Sequence, residues 1–223
     1  MTDTASEPRA VARLWMLLAL GLTAGSLIVW LQPTSVQAAL EWRPERAWDQ
    51  PWRAFTAAWV HWSPQHLVAN LAGCAVVGLL GITARLGRPE TLAWLLAWPL
   101  TQWALLMEPQ LARFGGLSGV LHAGVAVAAV SLLREPRAHG RVRAIGLLIT
   151  LGLVAKIIGE RPLAEPPLRH WDGWSIAIAP LAHLTGALSG AVMAWVCLTV
   201  SARRSASVAA ASAPGAPPSG GAR

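Results

Sequence analysis

The chain has 223 residues, of which 54% are hydrophobic and only 13% are charged. Because a soluble domain carries about 25% charged residues, this composition excludes an ordinary soluble domain and indicates a protein that crosses a membrane several times. The formal net charge is +7, but the arginines flank apolar runs, so membrane topology explains the charge better than binding to nucleic acid.

The amino-terminal part contains a polar segment followed by a first apolar run. Residues 1–10 are predicted to form a cytoplasmic segment, and the run over residues 11–31 is close to the ~20 residues that span a bilayer. The alternative is a cleaved signal peptide, since Val36-Gln37-Ala38 resembles a small-residue cleavage site. The length of the run favours a helix that is retained.

A long connection over residues 32–65 follows, and it is rich in tryptophan. Tryptophan side chains prefer the interface between membrane and water. We therefore interpret this connection as lying in the interface and as partly helical. The tryptophans are Trp42, Trp48, Trp52, Trp59 and Trp62.

Five further apolar runs predict five more helices, which completes an all-α membrane domain with about six transmembrane helices over residues 11–200. The predicted bounds are 66–83, 91–107, 116–133, 142–158 and 174–200. The tail over residues 201–223 is rich in Ser, Ala, Pro and Gly, and we predict that it is a disordered cytoplasmic tail.

The distribution of basic residues predicts the topology. With the amino terminus in the cytoplasm, 11 of the 18 basic residues lie inside and the other 7 lie outside. The positive-inside rule then favours cytoplasmic positions for both chain ends. Lys156 is the only lysine, and this preference for arginine, together with many alanines, indicates a bacterial inner (plasma) membrane.

Polar residues converge at similar depth in three predicted helices. The second, fourth and sixth helices all run from outside to inside, and the polar residues near their starts are His66 and Asn70, Ser118, and His183. Polar groups inside a membrane are costly and often mark function. Our hypothesis is that Ser118 is a nucleophile activated by His183, and that His66 and Asn70 stabilise the charge that forms. In the alternative, Ser118 only allows close helix packing.

Small residues predict how Ser118 and His183 meet. Gly186 and Gly190 are four residues apart on the sixth helix, and Gly119 follows Ser118 on the fourth. A close approach of these helices would bring Ser118 and His183 within reach of each other. His122 lies four residues after Ser118 and is a second candidate for the base. We favour a supporting or substrate-contact role for it, because side chains on one helix seldom align as nucleophile and base.

Together these residues resemble a known motif set. His61-x4-His66-x3-Asn70, Gly116-Leu117-Ser118-Gly119 and Ala182-His183-x2-Gly186-x3-Gly190 are similar to the motifs of the rhomboid intramembrane serine proteases, and Trp52-Arg53 resembles the Trp-Arg pair of their first outer loop. The resemblance covers about residues 61–190. The sequence Gly-Leu-Ser-Gly-Val-Leu-His at 116–122 is most similar to the rhombosortase subfamily, although Ala123 stands where that subfamily pattern has glycine.

The resemblance implies a rhomboid-like bundle and an intramembrane endopeptidase. It implies that Ser118 is the nucleophile and His183 the base, with His66, Asn70 and the Ser118 backbone N–H as oxyanion donors. Since no buried acid is evident beside His183, we predict a dyad rather than a triad. Supporting roles fall to Gly116, Gly119, His122 and Gly186.

The expected partners are the lipid bilayer and single-span membrane proteins, which rhombosortases process at C-terminal Gly-Gly sorting tails. No cofactor, metal or nucleic acid is expected, since Cys74 and Cys197 lie inside apolar runs without metal-ligand spacing. The main alternative is a catalytically inactive rhomboid-like protein that binds membrane clients. A small transporter and a purely structural membrane subunit are weaker alternatives, because the polar groups cluster on one side of the membrane.

Overall fold

In the part of the chain that the structure describes, the fold is a bundle of six long helices. The computed structural model describes residues 12–135, 140–170, 172–173 and 175–211. Within these ranges, β structure is limited to two isolated bridges, which confirms the predicted all-α class. The six long helices are α1 (Arg13–Trp30), α2 (Pro64–Thr83), α3 (Arg88–Trp103), α4 (Ser118–Arg134), α5 (Gly140–Glu160) and α6 (Pro180–Ala211).

Four of these helices, α1, α2, α5 and α6, are long and apolar enough to cross a membrane. By contrast, α4 has only 17 residues, and most of its side chains are buried by its neighbours. At a rise of 1.5 Å per residue, α4 is about 25 Å long, which is shorter than a hydrocarbon core of ~30 Å. A helix of this length can therefore start below the membrane surface, and Ser118 is its first residue.

Helices α4 and α6 pack with their backbones in close contact. A Cβ atom on Gly186 would overlap the carbonyl group of Gly119, and a Cβ atom on Gly190 would overlap the carbonyl group of Ala123. In the other direction, a Cβ atom on Gly119 would lie 2.7 Å from the Ala182 carbonyl oxygen. The predicted close approach of these two helices is thus confirmed, and it depends on small residues at the contact.

Helix α1 belongs to the core of the bundle. Trp15 is fully buried, donates a hydrogen bond from its indole N–H to the Val77 carbonyl (2.8 Å), and packs on Trp94 with ring centroids 4.4 Å apart. Trp94 in turn donates to the carbonyl of Val120 (2.8 Å). Two tryptophans therefore connect α1 and α3 to α2 and α4, and this packing favours the retained helix over a cleaved signal.

The connection between α1 and α2 is partly helical, as predicted. It contains short helices at Thr34–Leu40 and Arg53–Thr56, and the buried Arg53 donates hydrogen bonds to the Glu41 carbonyl (2.7 Å) and the Ala38 carbonyl (3.1 Å). Trp42 is fully buried and exchanges backbone hydrogen bonds with Phe114. This tryptophan therefore packs inside the protein, whereas Trp48 is 80% exposed.

Several helix ends differ from the predicted ones. Helix α5 extends past 158 to Glu160, and α6 begins at Pro180 rather than at 174. Proline suits the first turn of a helix because it has no N–H to leave unpaired. Helix α6 also continues past 200 to Ala211, so the prediction of disorder is wrong for residues 201–211, where Ala-rich sequence sustains the helix. Residues 1–10, 174 and 212–223 lie outside the described ranges.

Candidate active site

Together with His122, the predicted catalytic and oxyanion residues line one cavity. It has a volume of about 840 Å³ and lies among α2, α4, α5 and α6. Its polar lining includes His66, Asn70, Ser118, His122 and His183, and most of the remaining wall is aliphatic. Three segments that are far apart in sequence therefore meet at one place, as the sequence predicts.

Ser118 and His183 are in direct contact. The Ser118 hydroxyl and the Nε2 atom of His183 are 2.9 Å apart, which is the geometry of an O–H group donating to an imidazole nitrogen. Ser118 is partly exposed, whereas only 5% of His183 is exposed. The tight packing of Gly119 against α6 sets this distance, since it fixes the first turn of α4 beside the first turn of α6.

An acid lies on the other side of the His183 ring. The Nδ1 atom of His183 is 2.7 Å from Oε2 of Glu160, and Glu160 is 6% exposed. The other carboxylate oxygen contacts Lys156, one turn earlier on α5. The prediction that no buried acid accompanies His183 is therefore wrong, because α5 continues past its predicted end and carries Glu160 into the bundle.

His122 contacts both Ser118 and His183, but it does not lie between them in the position of the base. Its ring is stacked on the His183 ring, with centroids 4.2 Å apart and planes 11° apart. Its Nδ1–H donates to the backbone carbonyl of Ser118 (2.7 Å) rather than to the hydroxyl. This arrangement favours His183 as the base and leaves His122 in a supporting position.

His66 and Asn70 lie one turn apart on α2 and face the same cavity. The Asn70 amide donates to the His66 carbonyl at 3.2 Å. An amide group has two N–H bonds, so a second donor remains for a ligand in the cavity. The Nδ1 atom of His66 is buried, and no group in the described part of the chain pairs with it.

Gly116 allows the backbone of the loop before α4 to pass close to the His66 ring. Its φ angle is +134°, a conformation that L side chains rarely adopt. A Cβ atom at this position would also lie 2.7 Å from Cε1 of His66. Both the backbone conformation and the available space therefore require glycine at this position.

His61 packs beside the site from the loop before α2. It is fully buried, its ring centroid is 4.8 Å from that of His66, and its Nδ1–H donates to the Trp59 carbonyl (3.1 Å). Burial lowers the pKa of His61 from 6.5 to about 4. At neutral pH this ring is therefore uncharged and acts as a packing neighbour of His66.

The residues that sequence analysis missed are Glu160 and Lys156. One signal could have identified them, since the only lysine of the chain lies one helical turn before an acid at the end of an apolar run. Charged residues at that depth are costly and often functional. What the sequence does not give is that this end of α5 faces His183, because that contact depends on tertiary packing.

Comparison with known proteins gives one family match. The Rhomboid domain family matches residues 48–200, a range that contains every site residue discussed above. No curated protein matches the chain. In the described ranges, His, Cys, Asp and Glu side chains form no group of three or more that could hold a metal ion.

Proposed function

The chain belongs to the rhomboid family, and from this membership we propose that it is an intramembrane serine endopeptidase. Members of the family are in general proteases of this type. The observation that carries the proposal is the 2.9 Å contact between the Ser118 hydroxyl and His183 Nε2 at the wall of a large cavity. A client-binding protein without activity would not need this contact.

In the first proposed step, the Ser118 oxygen attacks the carbonyl carbon of the scissile peptide bond, and Nε2 of His183 takes the hydroxyl proton. The carbonyl oxygen becomes an oxyanion. The Asn70 amide, the His66 imidazole and the Ser118 backbone N–H would donate hydrogen bonds to it. The first turn of α4 adds partial positive charge, because the N–H groups at a helix start lack partners within the helix.

In the second step, the C–N bond of the tetrahedral intermediate breaks. Nε2 of His183 returns its proton to the leaving amine, and Ser118 remains acylated. Water then attacks the acyl group with His183 again as the base, which releases the second product and restores the hydroxyl. Because water is a reactant, the cavity must admit it, and the partial exposure of Ser118 supports such access.

The proposed substrates are single-span membrane proteins that are cleaved near the outer face of the membrane. Within this class we propose proteins with C-terminal Gly-Gly sorting tails, as for rhombosortases. The support is the sequence Gly-Leu-Ser-Gly-Val-Leu-His at 116–122 and the short six-helix form. The largely aliphatic cavity wall also suits an apolar segment better than a charged one.

The proposed location is a bacterial inner membrane, with both chain ends in the cytoplasm. The excess of arginine on the predicted cytoplasmic side supports this orientation. In this orientation α2, α4 and α6 begin, and α5 ends, on the outer side. The four ends that carry the site residues then share the side on which the substrate would be cut.

The test is cleavage of a reporter in proteoliposomes that contain the purified protein. The reporter carries a C-terminal Gly-Gly, an apolar helix and a basic cluster, and its matched control has Leu-Leu in place of Gly-Gly. We expect the wild-type protein to cleave the first reporter and the Ser118→Ala variant to cleave neither. Equal cleavage of both reporters would contradict the proposed specificity for Gly-Gly tails. Cleavage by Ser118→Ala would contradict the mechanism.

A further inference from the structure

We propose that Glu160 is a positioning residue for His183 and that Lys156 holds Glu160 in place for this task. This inference rests on the proposed function and extends it, since it turns the pair of Ser118 and His183 into a chain of four side chains. The links are Ser118 to His183, His183 to Glu160, and Glu160 to Lys156.

The hydrogen bonds fix the tautomer of His183. An ionised carboxylate can only accept hydrogen bonds, so the nitrogen that faces Glu160 must carry a proton. That nitrogen is Nδ1, at 2.7 Å from the carboxylate oxygen. Nε2 is then free to accept the proton of Ser118, which is the state that a general base requires. Without the carboxylate, either ring nitrogen could carry the proton.

Glu160 also compensates the charge that forms during the reaction. When Nε2 takes the Ser118 proton, the His183 ring becomes a cation in a buried position. A carboxylate at hydrogen-bond distance stabilises this cation, and the effect is strong where water is excluded. The stacked ring of His122 offers no negative charge to replace it.

The stability of α5 alone does not explain the position of Glu160. An acid at the carboxyl end of a helix is unfavourable, because it faces the negative end of the helix dipole. The order of the ion pair is also the less favourable one, with the lysine on the amino-terminal side of the acid. Burying the carboxylate adds a desolvation cost. The contact with His183 explains why an acid occupies this position in spite of these local costs.

A structural role for Glu160 is the alternative that the experiment must separate. The buried residues of α5 are Gly146, Ile157 and Glu160, so this helix is largely exposed to its surroundings. Glu160 could therefore serve only to fix the end of α5 against α6. Such an anchor would affect activity equally at every pH, whereas a partner of the imidazolium would change the pH dependence of the reaction.

The experiment compares Glu160→Gln, Glu160→Asp and wild-type protein in reporter cleavage across the pH range, with kcat and KM measured separately. Arg113→Met is the matched control, because Arg113 is a cation of the same cavity that pairs with Glu41 and lies over Trp62. Thermal unfolding in detergent verifies that each variant is folded.

We expect Glu160→Gln to lower kcat with little change in KM. The loss is expected to be on the order of 10⁴-fold at most, the effect of replacing the acid of a Ser-His-Asp triad by its amide. We also expect the acid limb of the pH profile to move to lower pH, because the imidazolium loses its counter-charge. Among the described residues, the other charged or titratable side chains of this cavity are His122 on α4, His66 on α2, Lys156 on α5 and Arg113 before α4, and they are unchanged in this variant. Glu160→Asp should restore part of kcat.

Lys156 gives a second test that leaves the carboxylate in place. Lys156→Met should lower kcat less than Glu160→Gln does. Lys156→Arg, which keeps the positive charge, should have a higher kcat than Lys156→Met. Unchanged kcat and an unchanged pH profile in Glu160→Gln would overturn the inference, as would a lower kcat without any shift of the profile. Wild-type protein without Ser118-dependent cleavage would overturn the proposed function itself, and the positioning role would fall with it.

Discussion

At the scale of single residues, the site depends on polar side chains that already have some of their partners inside the protein. Asn70 is 4% exposed and uses one N–H to bind the His66 carbonyl. This bond fixes the amide in orientation before a substrate arrives. A preorganised donor of this kind is effective because it needs no rearrangement when charge develops in the transition state.

Replacing Asn70 by Ala is therefore expected to slow turnover with little change in substrate binding. The loss of one oxyanion donor typically costs a factor of about 10²–10³ in kcat. Steady-state kinetics with a reporter substrate measures this effect. The matched control is Val68→Ala on the same helix, since Val68 is 64% exposed and is not among the residues that line the cavity. Equal kcat values for the two variants would contradict the proposed role of Asn70 as an oxyanion donor.

At the scale of helices, the contact between α4 and α6 sets the distance between Ser118 and His183. The two residues are 65 positions apart in the chain, and their hydrogen bond forms because Gly186 faces the Gly119 backbone directly. Any side chain at Gly186 would have to push the helices apart. Such a shift would lengthen the hydrogen bond between Ser118 and His183, the proposed nucleophile and base, without changing either residue.

Gly186→Ala is expected to lower the free energy of unfolding by about 1–3 kcal/mol, the usual cost of overpacking. Cleavage should fall as well, because the helix shift separates Ser118 from His183. Gly21→Ala on α1 is the matched control, since no atom lies within 4 Å of its added Cβ position. Thermal unfolding and reporter cleavage measure both effects. Gly186→Ala protein that is as stable and as active as Gly21→Ala protein would contradict this account of the contact.

Some features of the helices and of the site could be predicted from the sequence, and others could not. Ser118, His183, His66 and Asn70 could be placed together because each stands near the start of an apolar run, where a polar group is conspicuous. The contact of Glu160 with His183 could not be predicted, because it depends on tertiary packing of the end of α5 against α6. The sequence predicts an interfacial position for Trp42, but tertiary contacts with Phe114 and Trp103 bury it inside the protein.

At the scale of the whole molecule, a short central helix is enclosed by its neighbours. Helix α4 is buried by α6, α5, α3 and α2, and its first residue opens to the cavity. This architecture places a group of polar side chains around a cavity within a largely apolar protein. It also places the cavity beside α5, the least buried of the helices long enough to cross a membrane.

Labelling with a fluorescent fluorophosphonate tests the central claim most directly, because this reagent reacts with an activated serine. The experiment uses detergent-purified wild-type protein beside Ser118→Ala and His183→Ala, with thermal unfolding as the control for folding. We predict that the wild-type protein is labelled and that both folded variants are not, since one lacks the nucleophile and the other lacks its base. Labelling that persists in Ser118→Ala, or that is undiminished in His183→Ala, would contradict the proposed mechanism.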